Sequence, residues 1–249
     1  MLDAFRIGGR SALVTGADRG IGRSIALALA EAGAAVAVHH LEDDGQAQLV
    51  AEACGPSATT LRADLADREQ VERLVAEAQA WRPIDILVLN ASFEQAAKLE
   101  ERDDEIFDRQ VEVNLRSCHR LMAALAPTMA SRGWGRIVAI GSVYAHKPSP
   151  GLATYAATKA ALVHLCRSFA RRYSREGVTV NSLSPGVIET GRTAPFLNGE
   201  GNRERMEQWI PAGRVGLPDD CAGAALLLCS DAGAYITASD LLVDGGLRQ

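Results

Sequence analysis

The sequence predicts an α/β fold: one doubly wound parallel sheet of seven strands with helices on both faces. Three observations carry that expectation. Short apolar runs alternate with longer stretches of helical period, and those runs lack the polar face of a half-exposed strand. The first run also opens directly into a glycine-rich turn. In chain order, strands are expected at 11–15, 35–39, 59–62, 85–89, 136–140, 178–183 and 241–243. Helices are expected near 20–32, 43–54, 67–80, 103–131, 153–175 and 218–230.

Several helix ends carry their own signals. Asp67 precedes an apolar-periodic run containing Val71, Leu74 and Val75, with Glu69 in the first turn, where a carboxylate suits the helix dipole. Pro218 stands where a first helical turn tolerates proline, followed by Asp219 and Asp220. The acidic cluster Glu100, Glu101, Asp103, Asp104 and Glu105 reads as a solvated helix start rather than a metal site. Pro127 is expected to kink or restart the long helix that contains it. Segment 187–217, rich in Gly and Pro, is too long for an ordinary connection and is expected to be an irregular substrate lid. Within it, Phe196 and Trp209 would either cover the substrate or close the lid's own small core.

The chain has 249 residues, 47% hydrophobic and 23% charged, with a formal charge of −5. No linker composition and no repeat divides it, so 1–249 is expected to be one domain. Mild acidity without a Lys/Arg block argues against nucleic acid or a membrane surface as partner. No apolar run approaches the ~18–20 residues of a membrane span, and the first residues lack the shape of a secretory leader. The five cysteines form no CxxC pair and the five histidines no HExxH frame. This fits a cytoplasmic chain with buried thiols and no metal.

Residues 11–15 run straight into Gly16-Ala17-Asp18-Arg19-Gly20-Ile21-Gly22. A sharp exit from the strand, close approach of an anion to the backbone and tight helix–sheet packing each exclude a Cβ. The exposed N–H groups and dipole of the following helix then suit a pyrophosphate, and the placement points to a dinucleotide. At the end of the second strand, where an NAD site carries a carboxylate, this chain has His40, with no acid before Glu42. Arg19 could pair with a 2′-phosphate, so Arg19 and His40 favour NADP; Glu42 or Asp43 reaching the ribose would favour NAD instead.

Tyr155 and Lys159 are four apart in a helical segment and project from one face. A phenol titrates near 10, too high for neutral acid–base work, and a cation within ~4–6 Å lowers such a value by about 1–3 units. Ser142 closes the fifth strand and Asn114 lies in the preceding long helix.

Together with Asn90-Ala91, Asp64, Pro185-Gly186, Thr190 and Asp244-Gly245-Gly246, these residues resemble the short-chain dehydrogenase/reductase family in its compact branch. The resemblance implies a Rossmann-type sheet in the order 3-2-1-4-5-6-7, and a homodimer or homotetramer. It implies Tyr155 as general acid and base, Ser142 on the substrate oxygen, and Lys159 on the nicotinamide ribose while depressing the Tyr155 pKa. It gives Asn114 a water that relays protons through Lys159. Cofactor contacts would come from Gly16, Asp18, Arg19, Gly20, Ile21, Gly22, His40, Asp64, Leu65, Asn90, Ala91, Tyr155, Lys159, Pro185, Gly186, Ile188 and Thr190. Asp64 would meet the adenine, Asn90 steady the sheet, and Ile188 with Thr190 hold the carboxamide.

Two positions depart from the family pattern: Ser92 where it reads Asn-Ala-Gly, and Ala238 where it reads Thr-Gly. Asn90-Ala91-Ser92 also spells a glycosylation acceptor, which has no role in a cytoplasmic chain. Cys118 and His119 point apart on a helix and form no nucleophile–base pair. Tyr144 and His146, in the loop after Ser142, are candidates for a wall facing a polar substrate. Arg132 and Arg171 would serve either solubility or an acidic carrier protein. The expected activity is NADP(H)-dependent interconversion of a ketone and a secondary alcohol on a small polar carbonyl, sugar or polyol. A 3-oxoacyl-thioester reductase and a non-catalytic nucleotide-binding regulator are the alternatives.

Overall fold

The computed structural model describes residues 2–100 and 103–248, so Glu101 of the acidic cluster lies outside the described residues. Among the described residues, seven strands form one sheet: β1 Ser11–Val14, β2 Ala35–His40, β3 Thr59–Arg62, β4 Ile86–Leu89, β5 Gly135–Ile140, β6 Val178–Pro185 and β7 Asp240–Val243. Every pairing is parallel and the order is β3-β2-β1-β4-β5-β6-β7, as the resemblance implied.

The two-residue period of the strands divides their side chains between two cores. Leu13, Ala37, Leu87, Leu89 and Ile137 face α3 (Arg68–Trp81), α5 (Ser117–Ser131) and α6 (Ala153–Tyr173). Their neighbours Ala12, Val14, Val36, Val38, Val88 and Val138 face α1 (Gly20–Glu31), α2 (Asp44–Cys54) and α9 (Pro218–Cys229). Strands buried on both faces explain why β1, β2, β4 and β5 read as continuous apolar runs. The chain winds outward from β1 to β3 and then crosses back to β4, so a crevice opens beyond the carboxyl ends of β1 and β4.

Two expected elements differ. The helix predicted over 103–131 is α4 (Asp104–Val111), a π-helical turn (Glu112–Arg116) and then α5. The irregularity lies at Asn114 rather than at Pro127, past which α5 continues without restarting. Segment 187–217 is also partly helical, with α7 (Ala194–Leu197) and α8 (Asn202–Trp209). Its small core is Leu197, Ile210 and Val215, with Val187, Met206 and Leu247 against it. Phe196 and Trp209 are 50% and 63% exposed, so neither closes that core.

Helix starts follow the sequence signals. Asp43, Asp67 and Asp103 each accept backbone N–H bonds from the first turns of α2, α3 and α4. Asp220, in the first turn of α9, accepts the N–H of Leu217 at 2.7 Å.

Ala238 has φ +58°, the one positive φ at a non-glycine among the described residues. A Cβ in this left-handed region strains the backbone by ~1–2 kcal/mol, which glycine avoids. Ala238→Gly is therefore expected to stabilise the protein by about 1 kcal/mol, or ~2–4 °C in Tm at this size, as measured by thermal unfolding.

Candidate active site

The crevice begins at the glycine turn between β1 and α1. Gly16 and Gly20 have φ of +60° and +55°. A Cβ on Gly22 would run into the Gly16 carbonyl and the Asn90 amide, so each of these glycines is required. Asn90, at the end of β4, donates from Nδ2 to the carbonyls of Thr15 and Gly16, both at 2.9 Å. The Thr15 hydroxyl in turn accepts the N–H groups of Asn90 (2.9 Å) and Ala91 (3.0 Å). Unlike α2, α3 and α4, α1 has no side-chain cap, so no side chain occupies its first N–H groups.

Asp18 is buried and accepts from Arg19 Nε at 2.6 Å, while the Arg19 side chain is 69% exposed at the crevice mouth. Of the two histidines that end β2, it is His39 that meets the glycine turn. Its Nδ1 accepts the Gly16 N–H at 3.0 Å and its Nε2–H donates to the Ala63 carbonyl at 3.1 Å. His40, the residue expected there, points to the opposite face. It is buried, with Nδ1 3.5 Å from Asp44, beside a cleft of about 550 Å³ lined by Asp44, Gly45, Gln48, Thr60 and Arg62. Period-two alternation separates the two rings, a signal present in the sequence but overridden by counting positions from the glycines.

Asp64 and Leu65 follow β3. The Asp64 carboxylate accepts the Ala66 N–H at 2.9 Å and lies 3.5 Å from Arg109, and Leu65 is buried. Asn114 is fully buried in the π turn. Its amide pairs with the Phe93 backbone in both directions at 2.8 Å, and Nδ2 lies 3.3 Å from the Thr158 hydroxyl. Both amide N–H groups are thereby engaged, and what Asn114 visibly does is tie the loop after β4 to α6.

Ser142, Tyr155 and Lys159 come together, all nearly inaccessible. The Ser142 hydroxyl faces the Tyr155 phenol, and Lys159 Nζ lies 5.6 Å from the phenol ring centroid. The electrostatics correct one expectation. Burial, reinforced by Glu94, pushes the Tyr155 phenol up to about 12, against opposing effects of Arg192 and Ser142. Lys159 does not reverse this: its Nζ donates to the Ile140 carbonyl at 2.6 Å, and burial brings it down to about 8. Desolvation outweighs the pairing of cation and phenol here.

Ile188 is buried and bridges to Gly216, and a Cβ on Gly20 would stand 3.4 Å from the Thr190 side chain, so this segment crosses the glycine turn. Pro185 ends β6, and Gly186 packs against Asp244 too closely for a Cβ. Tyr144 lies among the charges around the phenol. His146 instead turns away to Asp240, at 2.5 Å, a carboxylate that also takes the Ser182 and Ser184 hydroxyls. Sequence reasoning missed His39, Phe93, Glu94 and Arg192. The available signal for Arg192 was its partner, the out-of-pattern Ser92.

A nucleotide-anion turn beside a Ser–Tyr–Lys cluster defines an oxidoreductase that works between an alcohol and a carbonyl. A family profile described as Enoyl-(Acyl carrier protein) reductase matches residues 16–248. The chain is 37% identical over 245 residues to the 2-dehydro-3-deoxy-D-gluconate 5-dehydrogenase of Bacillus subtilis, covering 98% of this chain and 96% of that one. It is 38% identical over 240 residues to the 3-oxoacyl-(acyl-carrier-protein) reductase FabG of Escherichia coli, covering 96% and 97%. A gluconate 5-dehydrogenase from Burkholderia cenocepacia, solved in complex with NADP and tartrate, superposes with a TM-score of 0.93 at 36% identity, covering 99% and 98% of the two chains. The chain belongs to the short-chain dehydrogenase/reductase family.

Two buried groups give pH signatures of stability. His39 is held down to about 4, so below its unfolded value of 6.5 only the unfolded chain takes up the proton. About 3 kcal/mol of stability should drain away between pH 6.5 and 4, and denaturant titration of His39→Asn against the parent should show that slope removed. Lys159 is shifted in the same direction, with its window at higher pH. Between pH 8 and 10.5 the unfolded chain holds the extra proton, so the parent should gain up to ~3 kcal/mol relative to Lys159→Met across that window.

Proposed function

We propose that the protein interconverts a ketone and a secondary alcohol on a small polar, polyhydroxylated substrate, with NADP(H) as hydride partner. The observation that carries the reading is the convergence of Ser142, Tyr155 and Lys159 at the edge of a crevice whose glycine turn leaves an uncapped helix start. The residues fit a dinucleotide: Gly16, Gly20, Ile21 and Gly22 around the pyrophosphate, and Arg19 at the 2′-phosphate. Asp64 and Leu65 would lie by the adenine, Asn90 and Ala91 behind the ribose, and Pro185, Gly186, Ile188 and Thr190 at the nicotinamide end. When bound, the nicotinamide gives or takes the hydride.

The chain's own residues handle the oxygen. Ser142 donates to it, and Tyr155 passes its proton to a ketone oxygen or takes one from an alcohol. A phenol pushed up to about 12 stays protonated through the neutral range, the form a reduction needs. Lys159, mostly protonated at pH 7 with its value near 8, can resupply that proton. Asn114 holds α6, and with it Tyr155 and Lys159, against the loop that carries Phe93.

For the 2′-phosphate, the exposed guanidinium of Arg19 and the NADP bound to the Burkholderia relative support NADP over NAD. The carrier-protein reading loses one support, because Arg132 is spent on the carbonyls of Thr128 and Ile84 and on Asp85. A regulator without turnover has no use for a complete Ser–Tyr–Lys cluster. The same proposal takes residues 1–249 as one domain with 187–217 as its lid. It also includes a homodimer or homotetramer, supported by the exposed Phe107 on α4.

Tyr155→Phe should lower kcat/KM for ketone reduction by about 10²–10⁴-fold with NADPH binding retained, as followed by nicotinamide absorbance and fluorescence. Undiminished reduction would overturn the assignment. Arg19→Ala should weaken NADPH roughly 10–100-fold relative to NADH in the same titration.

A further inference from the structure

The loop after β4 and the segment after Thr190 meet above the crevice through one side chain. Arg192 donates from Nη1 to the Ser92 hydroxyl at 2.9 Å and from Nη2 to the Ser92 carbonyl at 2.6 Å. The hydroxyl exists only because serine stands where the family pattern has glycine. Glu94 lies 4.0 Å from Arg192, too far for a hydrogen bond, so that partner is replaceable. A guanidinium carries five donors in a planar fork; two are used on Ser92, and 46% of the side chain is exposed.

The same loop is bound into the catalytic machinery. Phe93, next to Ser92, clamps Asn114, which reaches Thr158, the neighbour of Lys159. The charges of Arg192 and Glu94 are both felt at Tyr155 and at Lys159. The Ser92-held Arg192, Glu94 and Tyr144 thus stand near enough to the phenol to act on it electrostatically, and the loop of Ser92 and Glu94 is tied to the helix that carries it. An apolar acyl chain would have to strip water from Arg192 and Glu94 without replacing it. A neutral polyol could satisfy Glu94 but would leave the unused donors of the fork to solvent. A carboxylate matches the fork in shape and charge, and hydroxyls match Glu94 and Tyr144.

We infer that Arg192, positioned by Ser92, anchors the carboxylate of the substrate, which is a polyhydroxy monocarboxylic acid. This rests on the oxidoreductase reading above and leaves its chemistry unchanged: secondary alcohol and NADP⁺ give ketone, NADPH and a proton, with the carboxylate untouched. Ser92 is a positioning residue and touches no reacting atom.

The test compares a six-carbon aldonate with the hexitol that differs from it only by CH₂OH in place of the carboxylate. Both are assayed with NADP⁺ in the parent, Arg192→Met and Ser92→Gly. Thermal unfolding and NADPH fluorescence establish that each variant is folded and binds cofactor. The parent should prefer the acid by about 10–100-fold in kcat/KM, and Arg192→Met should collapse that preference toward unity, chiefly through KM. Ser92→Gly should reduce it by roughly 3–10-fold. Calorimetric binding of the aldonate to the NADPH-loaded protein gives a readout independent of turnover, and that binding should be lost in Arg192→Met. An equal preference in parent and Arg192→Met, or an aldonate that fails to bind while a neutral ketone is reduced, would overturn the anchor and leave the oxidoreductase standing. Aldonate binding that depends on Arg192 without any nicotinamide-linked turnover would do the reverse.

Discussion

The amide of Asn90 joins the ends of the two central strands, and the crevice depends on it. One Nδ2 holds the carbonyls of Thr15 and Gly16, which fixes the exit angle of the chain from β1. That angle turns the first N–H groups of α1 toward the crevice and brings Gly22 hard against the same amide. The residues just beyond, Ala91 to Glu94, then start from a fixed point. From there they reach Asn114 on one side and Arg192 on the other. The glycine turn, the helix that carries Tyr155 and Lys159, and the loop of Ser92 to Glu94 therefore share one origin at the switch between β1 and β4.

The electrostatics of the site are set by exclusion of water more than by pairing. His39, Tyr155 and Lys159 are all driven toward their neutral forms by burial. Each is nonetheless held by a directed hydrogen bond or facing hydroxyl: His39 by Gly16 and Ala63, Lys159 by Ile140, Tyr155 by Ser142. In a site this dry, charge brought near the phenol by ligands is little screened and has a large effect. The partly exposed Arg192 and Glu94 supply the remaining field.

Strand order, the glycine turn and the Tyr155–Lys159 face were legible because each rests on local chemistry: alternation, a forbidden Cβ, a helical spacing of four. What was not legible depends on tertiary contacts. The π turn at Asn114 leaves no composition signal and arises where α4 and α5 must both pack while an amide reaches Phe93. The short helices α7 and α8 sit in a segment whose Gly and Pro content argued for irregular chain. Counting positions from the glycines points to His40, whereas the pleat decides which ring meets the turn, and that ring is His39. The direction of the Tyr155 shift could not be read from spacing, since four residues apart says nothing about burial.

The π turn at Glu112–Arg116 holds one residue more than the hydrogen-bonding pattern of a regular helix would. Removing any single residue there would let the two helices fuse into one continuous rod with better backbone geometry. Everything beyond it would rotate by about 100° relative to what precedes it. Asn114 would swing away from Phe93, and the buried face of α5 would no longer meet the sheet while α4 stayed packed on α6. Length variation that an exposed loop can absorb is closed to this stretch of chain.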